Sequence, residues 1–108
     1  KANIEMHTLV AKSNSRVIGF LMMLIIEYWD FKFASVEELF VDKDFRKKGF
    51  GKRLVKKAIE IAKEQKVKVI SIETDADNVI ARTLYSSLGF KDDSEGSYKL
   101  EIDTNQFN

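Results

Sequence analysis

The chain has 108 residues, with 44% apolar residues, 32% charged residues and a net charge of +1, which indicates a single domain with a modest core. The absence of cysteine excludes disulfides, thiolate metal sites and a cysteine nucleophile and agrees with a cytoplasmic location, and the single histidine, His7, leaves no histidine metal cluster or Ser-His-Asp triad. No metal is therefore expected, and because no apolar run reaches the ~20 residues of a membrane span, no membrane partner is expected either.

The N-terminal part of the chain predicts an antiparallel hairpin. Residues 6–12 alternate loosely between apolar and polar and predict a strand, Ser13-Asn14-Ser15 has the composition of a turn, and Arg16 to about Tyr28 predicts a long second strand. The stretch from Phe20 to Ile26 is apolar at every position. We therefore expect the second strand to be central in its sheet or covered on both faces.

An aromatic segment follows the second strand. Tyr28, Trp29, Phe31 and Phe33 place four large rings within six residues, more than a turn requires. We interpret this segment as a loop whose rings could line an acceptor pocket, form a homodimer contact, or fold over the edge of the core.

The next segment, Ser35 to Val41, predicts a third strand. Glu37 and Glu38 are adjacent, so in a regular strand they point to opposite faces. One of them should face inward or toward a cleft, where a carboxylate could act as a general base directly or through water. The alternative is that both lie near an edge or that one pairs with a lysine.

The segment from Phe40 to Lys52 reads as the end of a buried strand, a basic turn and the start of a helix. Its two glycines, Gly49 and Gly51, allow positive φ or close approach of a ligand to the backbone. The N–H groups of such a turn and of the helix N-terminus can hold a phosphate. Three cations lie beside them: Arg46, Lys47 and Lys48. We therefore expect a diphosphate-bearing cofactor here, while the spacing alone fits equally well a basic helix start whose glycines serve only for turning.

The better-known phosphate motifs do not match this turn. Only Phe50 separates its two glycines, which excludes a Walker loop, and Leu54 occupies the position of the third glycine of a Rossmann fingerprint. Residues 43–68 carry a net charge of +8, which can attract an anionic ligand. Basic residues without clear stacking aromatics are a weak signal for nucleic acid, so a nucleic-acid partner is not expected.

The helix after the turn and the strand that follows complete a crossover. Gly51 to about Gln65 predicts a helix with an apolar face, and Lys66 to about Thr74 predicts a fourth strand. A strand-helix-strand unit of this length is a right-handed crossover, so the third and fourth strands should be parallel neighbours.

The C-terminal part predicts a second helix and two more strands. Asp77 or Asn78 caps the helix, which runs to Leu88, and Gly89 ends it. A short strand begins at Phe90, residues 92–96 form a turn, residues 97–102 form a final strand, and residues 103–108 are a polar, frayed tail. The fold class is therefore α/β (α+β), with a mixed, mostly antiparallel sheet and one parallel β-α-β crossover.

Two separated motifs resemble those of the GNAT superfamily of N-acetyltransferases. Residues 46–51, Arg-Lys-Lys-Gly-Phe-Gly, resemble its Gln/Arg-x-x-Gly-x-Gly/Ala motif after a strand, and residues 78–90 match its second signature, Asn-x-x-Ala-x-x-Leu-Tyr-x-x-Leu-Gly-Phe. The resemblance covers about residues 7–102 and implies the acyl-CoA acyltransferase fold in one domain. The chain departs from the family in having Lys43-Asp44 where a proline is common. Members of the family usually begin with a strand and one or two helices that wall the acceptor site, and nothing before His7 supplies them. We expect either that these residues are missing from this chain or that it is a reduced version of the fold.

The resemblance implies acetyl-CoA as donor, CoA as product and a primary amine of a small molecule or protein as acceptor. The backbone of residues 47–52 would hold the pyrophosphate, the end of the third strand would bind pantetheine, and an N–H near Val41 would stabilise the oxyanion. Asn78 would contact the pantetheine arm, and Tyr85 would protonate the departing thiolate, although core packing is its alternative role. The implied cofactor-binding residues are Leu39, Phe40, Val41, Arg46, Lys47, Lys48, Gly49, Phe50, Gly51, Lys52, Asn78 and Tyr85.

The general base is left open between two strands. The resemblance favours Glu73 at the end of the fourth strand, and Glu38 and Glu37 on the third strand are the competitors. Each could accept the proton of an ammonium group through a chain of waters. Direct transfer in a ternary complex is expected because no cysteine is available.

Two other functions remain as alternatives. The first is a non-catalytic acyl-CoA-binding or regulatory module that retains the cofactor site without its acceptor wall. The second is a basic nucleic-acid-binding domain, which would show steeply salt-dependent binding that CoA does not compete.

Overall fold

The structure is a computed structural model that describes residues 2–93 and 96–102. Its elements are β1 (Ala2–Ser13), β2 (Arg16–Tyr28), β3 (Phe31–Val41), a 3-10 turn (Lys43–Phe45), α1 (Phe50–Glu64), β4 (Val69–Glu73), α2 (Val79–Ser87), β5 (Lys91–Asp92) and β6 (Ser97–Glu101). The strands form one sheet in the order β1-β2-β3-β4-β6-β5. All neighbouring pairs are antiparallel except β3 and β4, so the predicted fold class and the parallel crossover are confirmed.

Two tight hairpins build the N-terminal half of the sheet. Asn14 and Ser15 both have positive φ and join β1 to β2, which confirms the predicted turn. β1 begins at Ala2, earlier than the predicted residue 6. The interpretation of residues 28–33 as an aromatic loop is wrong, because only Trp29 and Asp30 form the turn and β3 already begins at Phe31.

The parallel pairing between β3 and β4 stops before either strand ends. The ladder runs from Phe33 opposite Val69 to Val36 opposite Ile72, whereas β3 continues to Val41. At that point the pairing of β3 with β2 shifts register between Met22 and Met23, so Glu37 is an extra, bulged residue. The last four residues of β3, 38–41, therefore pair only with β2, and their other edge lies open toward the continuation of β4.

Both helices cover the same face of the sheet. Leu54, Val55, Ala58 and Ala62 of α1 are buried, as is Tyr85 of α2. The strands contribute alternate residues to this core: Leu21, Met23, Ile25, Ala34, Val36, Ile70, Ile72 and Tyr98. The cross-strand register places these strand residues on one face. The predicted apolar face of α1 thus forms the centre of the core.

The opposite face of the sheet is apolar over its first three strands. β2 is flanked by β1 and β3, so the prediction of a central strand is confirmed. No described element packs on the face that carries Phe20, Met22, Leu24 and Ile26. On the same face of β1, Ile4 remains 64% exposed. β2 is apolar on both faces, but within residues 2–93 and 96–102 helices cover only one of them.

The C-terminal elements follow the predicted order. Asn78 caps α2, and Gly89 follows it with a φ of 95°, as expected for a helix C-terminus. Gly96 also has positive φ, and a Cβ added there would overlap the carbonyl oxygen of Thr74. The predicted tail, residues 103–108, and residues 94 and 95 of the predicted turn lie outside the described residues. In the described part of the chain, neither helix has the length and apolar content needed to cross a bilayer.

Candidate active site

The two sequence motifs converge at the start of α1. A Cβ added to Gly51 would lie 3.8 Å from Cγ2 of Val41 and 3.9 Å from Cδ2 of Leu84. Val41 ends β3, and Leu84 is the α2 residue next to Tyr85. Gly51 is therefore the point at which the strand end, the basic turn and the second motif meet, at distances that would also permit a Cβ.

The strand end presents backbone groups to a ligand. Leu39, Phe40 and Val41 lie beyond the end of the parallel ladder, so their alternate N–H and C=O groups on the β4 side have no strand partner. The Nε of Arg46 donates a hydrogen bond of 2.9 Å to the carbonyl oxygen of Val41, and its guanidinium lies 5.9 Å from the centroid of the Phe40 ring. Arg46 is thus held over the strand end that the family resemblance assigns to pantetheine.

Asp42 organises the turn between β3 and α1. Its side chain accepts a hydrogen bond from the N–H of Asp44 and caps the 3-10 turn, and its other oxygen accepts one of 2.6 Å from Arg16. The Asp44 backbone N–H and then the Arg16 guanidinium lower the pKa of Asp42 below its ordinary 3.8. The carboxylate therefore stays charged and links the turn to the first residue of β2.

The N-terminus of α1 has the geometry of an anion site. Gly49 is the residue before the helix, with φ 88° and ψ 3°, and it makes no side-chain cap. The first N–H bonded inside the helix is that of Arg53, which donates to the carbonyl oxygen of Gly49. The preceding N–H groups, those of Phe50, Gly51 and Lys52, therefore point out of the helix end without a helical acceptor. A Cβ on Gly49 would meet no atom within 4 Å, so the space beside Gly49, next to these groups, is open.

Basic side chains surround this helix end. Arg46, Lys47, Lys48 and Lys52 are all exposed, and the first turn of α1 contains no acidic residue. The rings of Phe45 and Phe50 pack edge to face at 6.1 Å, and the ammonium group of Lys48 lies 5.6 Å from the centroid of the Phe45 ring. The cations thus combine with the helix dipole to favour a polyanionic ligand at this end.

Asn78 and Tyr85 are placed by α2. Asn78 Oδ1 accepts a hydrogen bond of 3.1 Å from the N–H of Ala81, which leaves the Asn78 side-chain amide free to donate. Tyr85 is 4% exposed, and its ring packs against Phe90 at 6.0 Å and Tyr98 at 5.5 Å. The core-packing role considered for the Tyr85 ring is therefore confirmed, and it does not exclude a role for the hydroxyl.

The Tyr85 hydroxyl retains its proton and its access to solvent. Among residues 2–93 and 96–102, no group forms a hydrogen bond with the Tyr85 hydroxyl. In the same residues, every fully buried polar side-chain atom has a hydrogen-bond partner. The Tyr85 hydroxyl is therefore not fully buried and reaches solvent. Burial raises the pKa of Tyr85 above its ordinary value of 10.0. At neutral pH the group is a proton donor without a partner in the described chain.

The candidate bases lie on the opposite face of the sheet from Tyr85. Glu38 pairs with Met22, and Glu73 follows the inward-facing Ile72, so both carboxylates point away from the helices. Glu37 is bulged and accepts a hydrogen bond of 2.6 Å from Ser35. All three glutamates are exposed. Neither Glu37 nor Glu38 faces the interior, because the bulge turns both outward, and the expectation that one of them faces a cleft stays a prediction.

One cavity adjoins the end of β4. It has a volume of about 620 Å³ and is lined by Glu73, Thr74, Asp75, Asp93, Gly96 and Ser97. Glu73 is thus the candidate base beside a polar, acidic concavity, whereas Glu38 lies on the open sheet surface.

Two residues that support the site were not predicted from the sequence. Arg16 is distant from the basic turn in sequence, and only the register of β2 against β3 brings it to Asp42. Arg82 stands at a variable position of the second motif, yet it hydrogen-bonds to Tyr98, Ala76 and Asp92. In the sequence, the only feature that marks Arg82 is a charged residue directly beside Ala81 on the apolar face of α2.

The fold and the converging motifs define an acyl-CoA acyltransferase architecture, and comparison with known proteins names the family. Residues 2–90 match the model of the Acetyltransferase (GNAT) family. The chain belongs to that family, which confirms the resemblance described from its two motifs.

Similar proteins share this fold. The uncharacterized N-acetyltransferase YhfO of Bacillus subtilis is 30% identical over 103 residues, covering 87% of this chain and 66% of the relative. The PaiA N-acetyltransferase of Thermoplasma acidophilum in complex with coenzyme A superposes with a TM-score of 0.75 at 22% identity, covering 90% of this chain and 61% of that one. A GNAT family acetyltransferase of Elizabethkingia anophelis with acetyl-CoA bound has a TM-score of 0.74 at 21% identity, covering 88% and 75%.

The matched region is a part of the longer relatives. The chain spans 26–66% of the length of four curated relatives.

Proposed function

We propose that the protein transfers an acetyl group from acetyl-CoA to a primary amine. The observation that carries the proposal is the meeting of Val41, Gly51 and Leu84, because it joins the start of α1, the open end of β3 and α2, the helix that carries Tyr85. Each of these features matches a different part of the donor: the diphosphate, the pantetheine arm and the thioester.

The residues present fit this donor. The open space at Gly49, the three outward N–H groups of the first turn of α1 and the four neighbouring cations suit a diphosphate. The unpaired edge of β3 from Leu39 to Val41 suits the amides of pantetheine, which would pair with it as a short strand does. The Asn78 side-chain amide at the start of α2 is available to the same arm.

Acetyl-CoA would supply an activated acyl carbon, which forms a C–N bond to the amine as its C–S bond breaks. An N–H of the open β3 edge near Val41 would bind the acyl oxygen as it gains negative charge. A carboxylate on the open face would take the proton that the amine loses, through water. Tyr85 would give its hydroxyl proton to the departing sulfur and recover one from solvent.

The two faces of the sheet separate these proton transfers. Tyr85 lies on the helical face, whereas Glu38 and Glu73 lie on the other. The parallel ladder ends at Val36 and Ile72, and the gap beyond it would be the passage that connects the two faces. A thioester in this opening would have its sulfur toward the acid, and the amine would approach from the side of the bases.

For the acceptor we propose a cationic amine. The C-terminal residues 69–108 carry a net charge of −5, and acidic side chains line the cavity beside Glu73. Such a surface attracts an ammonium group, and a carboxylate there can accept its proton. We assign the base to Glu73 ahead of Glu38 because only Glu73 borders this cavity.

The test is thiol release from acetyl-CoA in the presence of a panel of amines, with the acetylated product identified by mass spectrometry. We expect turnover with at least one cationic amine and saturable CoA binding by calorimetry. Tight CoA binding with no acetylated amine in the panel would support the alternative of a non-catalytic acyl-CoA-binding module. No binding of CoA would refute the site itself.

A further inference from the structure

Arg82 ties four segments of the chain together. From α2, its Nε donates to the hydroxyl of Tyr98 at 2.8 Å, its Nη1 to the carbonyl oxygen of Ala76 at 2.7 Å, and its Nη2 to Asp92 at 3.0 Å. These partners belong to β6, the loop before α2, and β5. The side chain of Arg82 is 40% exposed, and it forms an ion pair with Asp92.

Two of these hydrogen bonds lead directly to residues of the proposed site. Tyr98 is 1% exposed, and its ring meets the Tyr85 ring edge to face at a centroid distance of 5.5 Å. The Ala76 carbonyl that accepts from Arg82 lies two residues before Asn78, the cap of α2. One guanidinium therefore restrains both the neighbour of Tyr85 and the backbone that leads to Asn78.

We propose that Arg82 is a positioning residue that sets the orientation of the Tyr85 ring through Tyr98. The inference rests on the proposed function, in which Tyr85 donates a proton to the leaving sulfur. No hydrogen bond holds the Tyr85 hydroxyl within the described chain, so its direction depends on the packing of its ring. The Tyr85 ring packs against two aromatic rings, those of Phe90 and Tyr98. Of these two, only Tyr98 has a hydroxyl that a hydrogen bond can fix.

The geometry requires arginine rather than a general cation. A guanidinium presents several N–H donors in a fixed plane, and here three of its nitrogens are used at once. Lysine at the same position keeps the charge but offers one nitrogen at the end of a flexible chain. Arg82→Lys should therefore preserve the ion pair with Asp92 while it releases Tyr98, Ala76 or both.

The first experiment observes ring positions without reference to catalysis. The chain has three tyrosines, so protein labelled with ¹³C at the tyrosine Cζ should give three resonances, assigned by Tyr→Phe variants. We expect Arg82→Lys to shift or broaden the resonances of Tyr85 and Tyr98 and to leave that of Tyr28, on the opposite face of the sheet, unchanged. Tyr98→Phe retains the ring but loses the hydrogen bond, and we expect it to move the Tyr85 resonance in the same way. An unchanged Tyr85 resonance in both folded variants would overturn the proposal.

The second experiment asks whether this orientation matters for proton delivery. With Tyr85 present, we expect Arg82→Lys to lower kcat roughly tenfold with little change in the KM for acetyl-CoA. In the Tyr85→Phe background the same change should lower kcat by less than about twofold, because coupled residues are not additive. Equal losses in the two backgrounds would show that Arg82 only stabilises the fold and would overturn the proposal.

The two experiments separate this inference from the proposed function. If the unaltered protein acetylates no amine, the proposed function fails, and the tyrosine resonances still decide whether Arg82 positions Tyr85. If turnover is normal and the resonances do not move, the proposed function stands and the role of Arg82 is refuted.

Discussion

The anion site at the start of α1 is tested by replacing Gly49 with glutamate and, as a matched control, with glutamine. Gly49 has a φ of 88°, so either side chain forces an L-residue into the left-handed region at a cost of about 1 to 2 kcal/mol. A Cβ there meets no atom within 4 Å, so neither variant clashes with the chain. Both should lose the same stability, seen as a drop in Tm of roughly 4–8 °C for each kcal/mol in a domain of this size.

The two variants differ only in charge, and that difference reports on the ligand. A carboxylate about 5 Å from one unit of phosphate charge is repelled by about 1 to 3 kcal/mol for an effective dielectric constant between 80 and 20. Calorimetry at low salt should therefore give a Kd for acetyl-CoA that is roughly 5- to 150-fold weaker for Gly49→Glu than for Gly49→Gln. The gap should narrow as salt is added, because the site is exposed.

A donor without a diphosphate provides the second control. S-acetylpantetheine retains the thioester and the amide arm, so its Kd should be the same for the glutamate and glutamine variants. If the two variants bind acetyl-CoA equally at low salt, the diphosphate does not lie at Gly49 and the assignment of the basic turn is refuted.

Three further predictions concern the chemistry and the fold. Tyr85→Phe should lower kcat more than it raises the KM for acetyl-CoA, and an unaltered kcat would leave Tyr85 a packing residue. Because burial raises the pKa of Tyr85 above 10.0, kcat of the unaltered protein should fall only above about pH 10, and Tyr85→Phe should remove that fall. Glu73→Gln should abolish the acidic limb of the pH–rate profile and Glu38→Gln should retain it, and the reverse result would reassign the base. Gly96→Ala should destabilise the protein by more than about 3 kcal/mol because its Cβ would overlap a backbone carbonyl, whereas Gly89→Ala, with 3.5 Å to the nearest atom, should cost about 1 kcal/mol in denaturant unfolding.

Local sequence preferences were enough to predict much of the fold. The Asn14-Ser15 turn, the cap at Asn78 and the stop at Gly89 are set by side chains and backbone preferences within a few residues, so their positions were predictable. The parallel crossover followed from chain connectivity alone. The prediction of an aromatic loop at residues 28–33 was wrong because aromatic residues also favour strands. The turn at Trp29 takes only two residues, so the remaining rings belong to β2 and β3.

The sequence by itself predicted the class of site: a glycine turn before a helix can hold an anion, and the family resemblance of the two motifs implied which anion to expect. The tertiary structure decided the arrangement around it. The bulge at Glu37 breaks the alternation from which inward and outward faces were predicted, and only the sheet register shows that Glu38 and Glu73 lie opposite Tyr85. Arg82 owes its role to partners in three other segments, and such contacts between distant residues leave no local pattern in the chain.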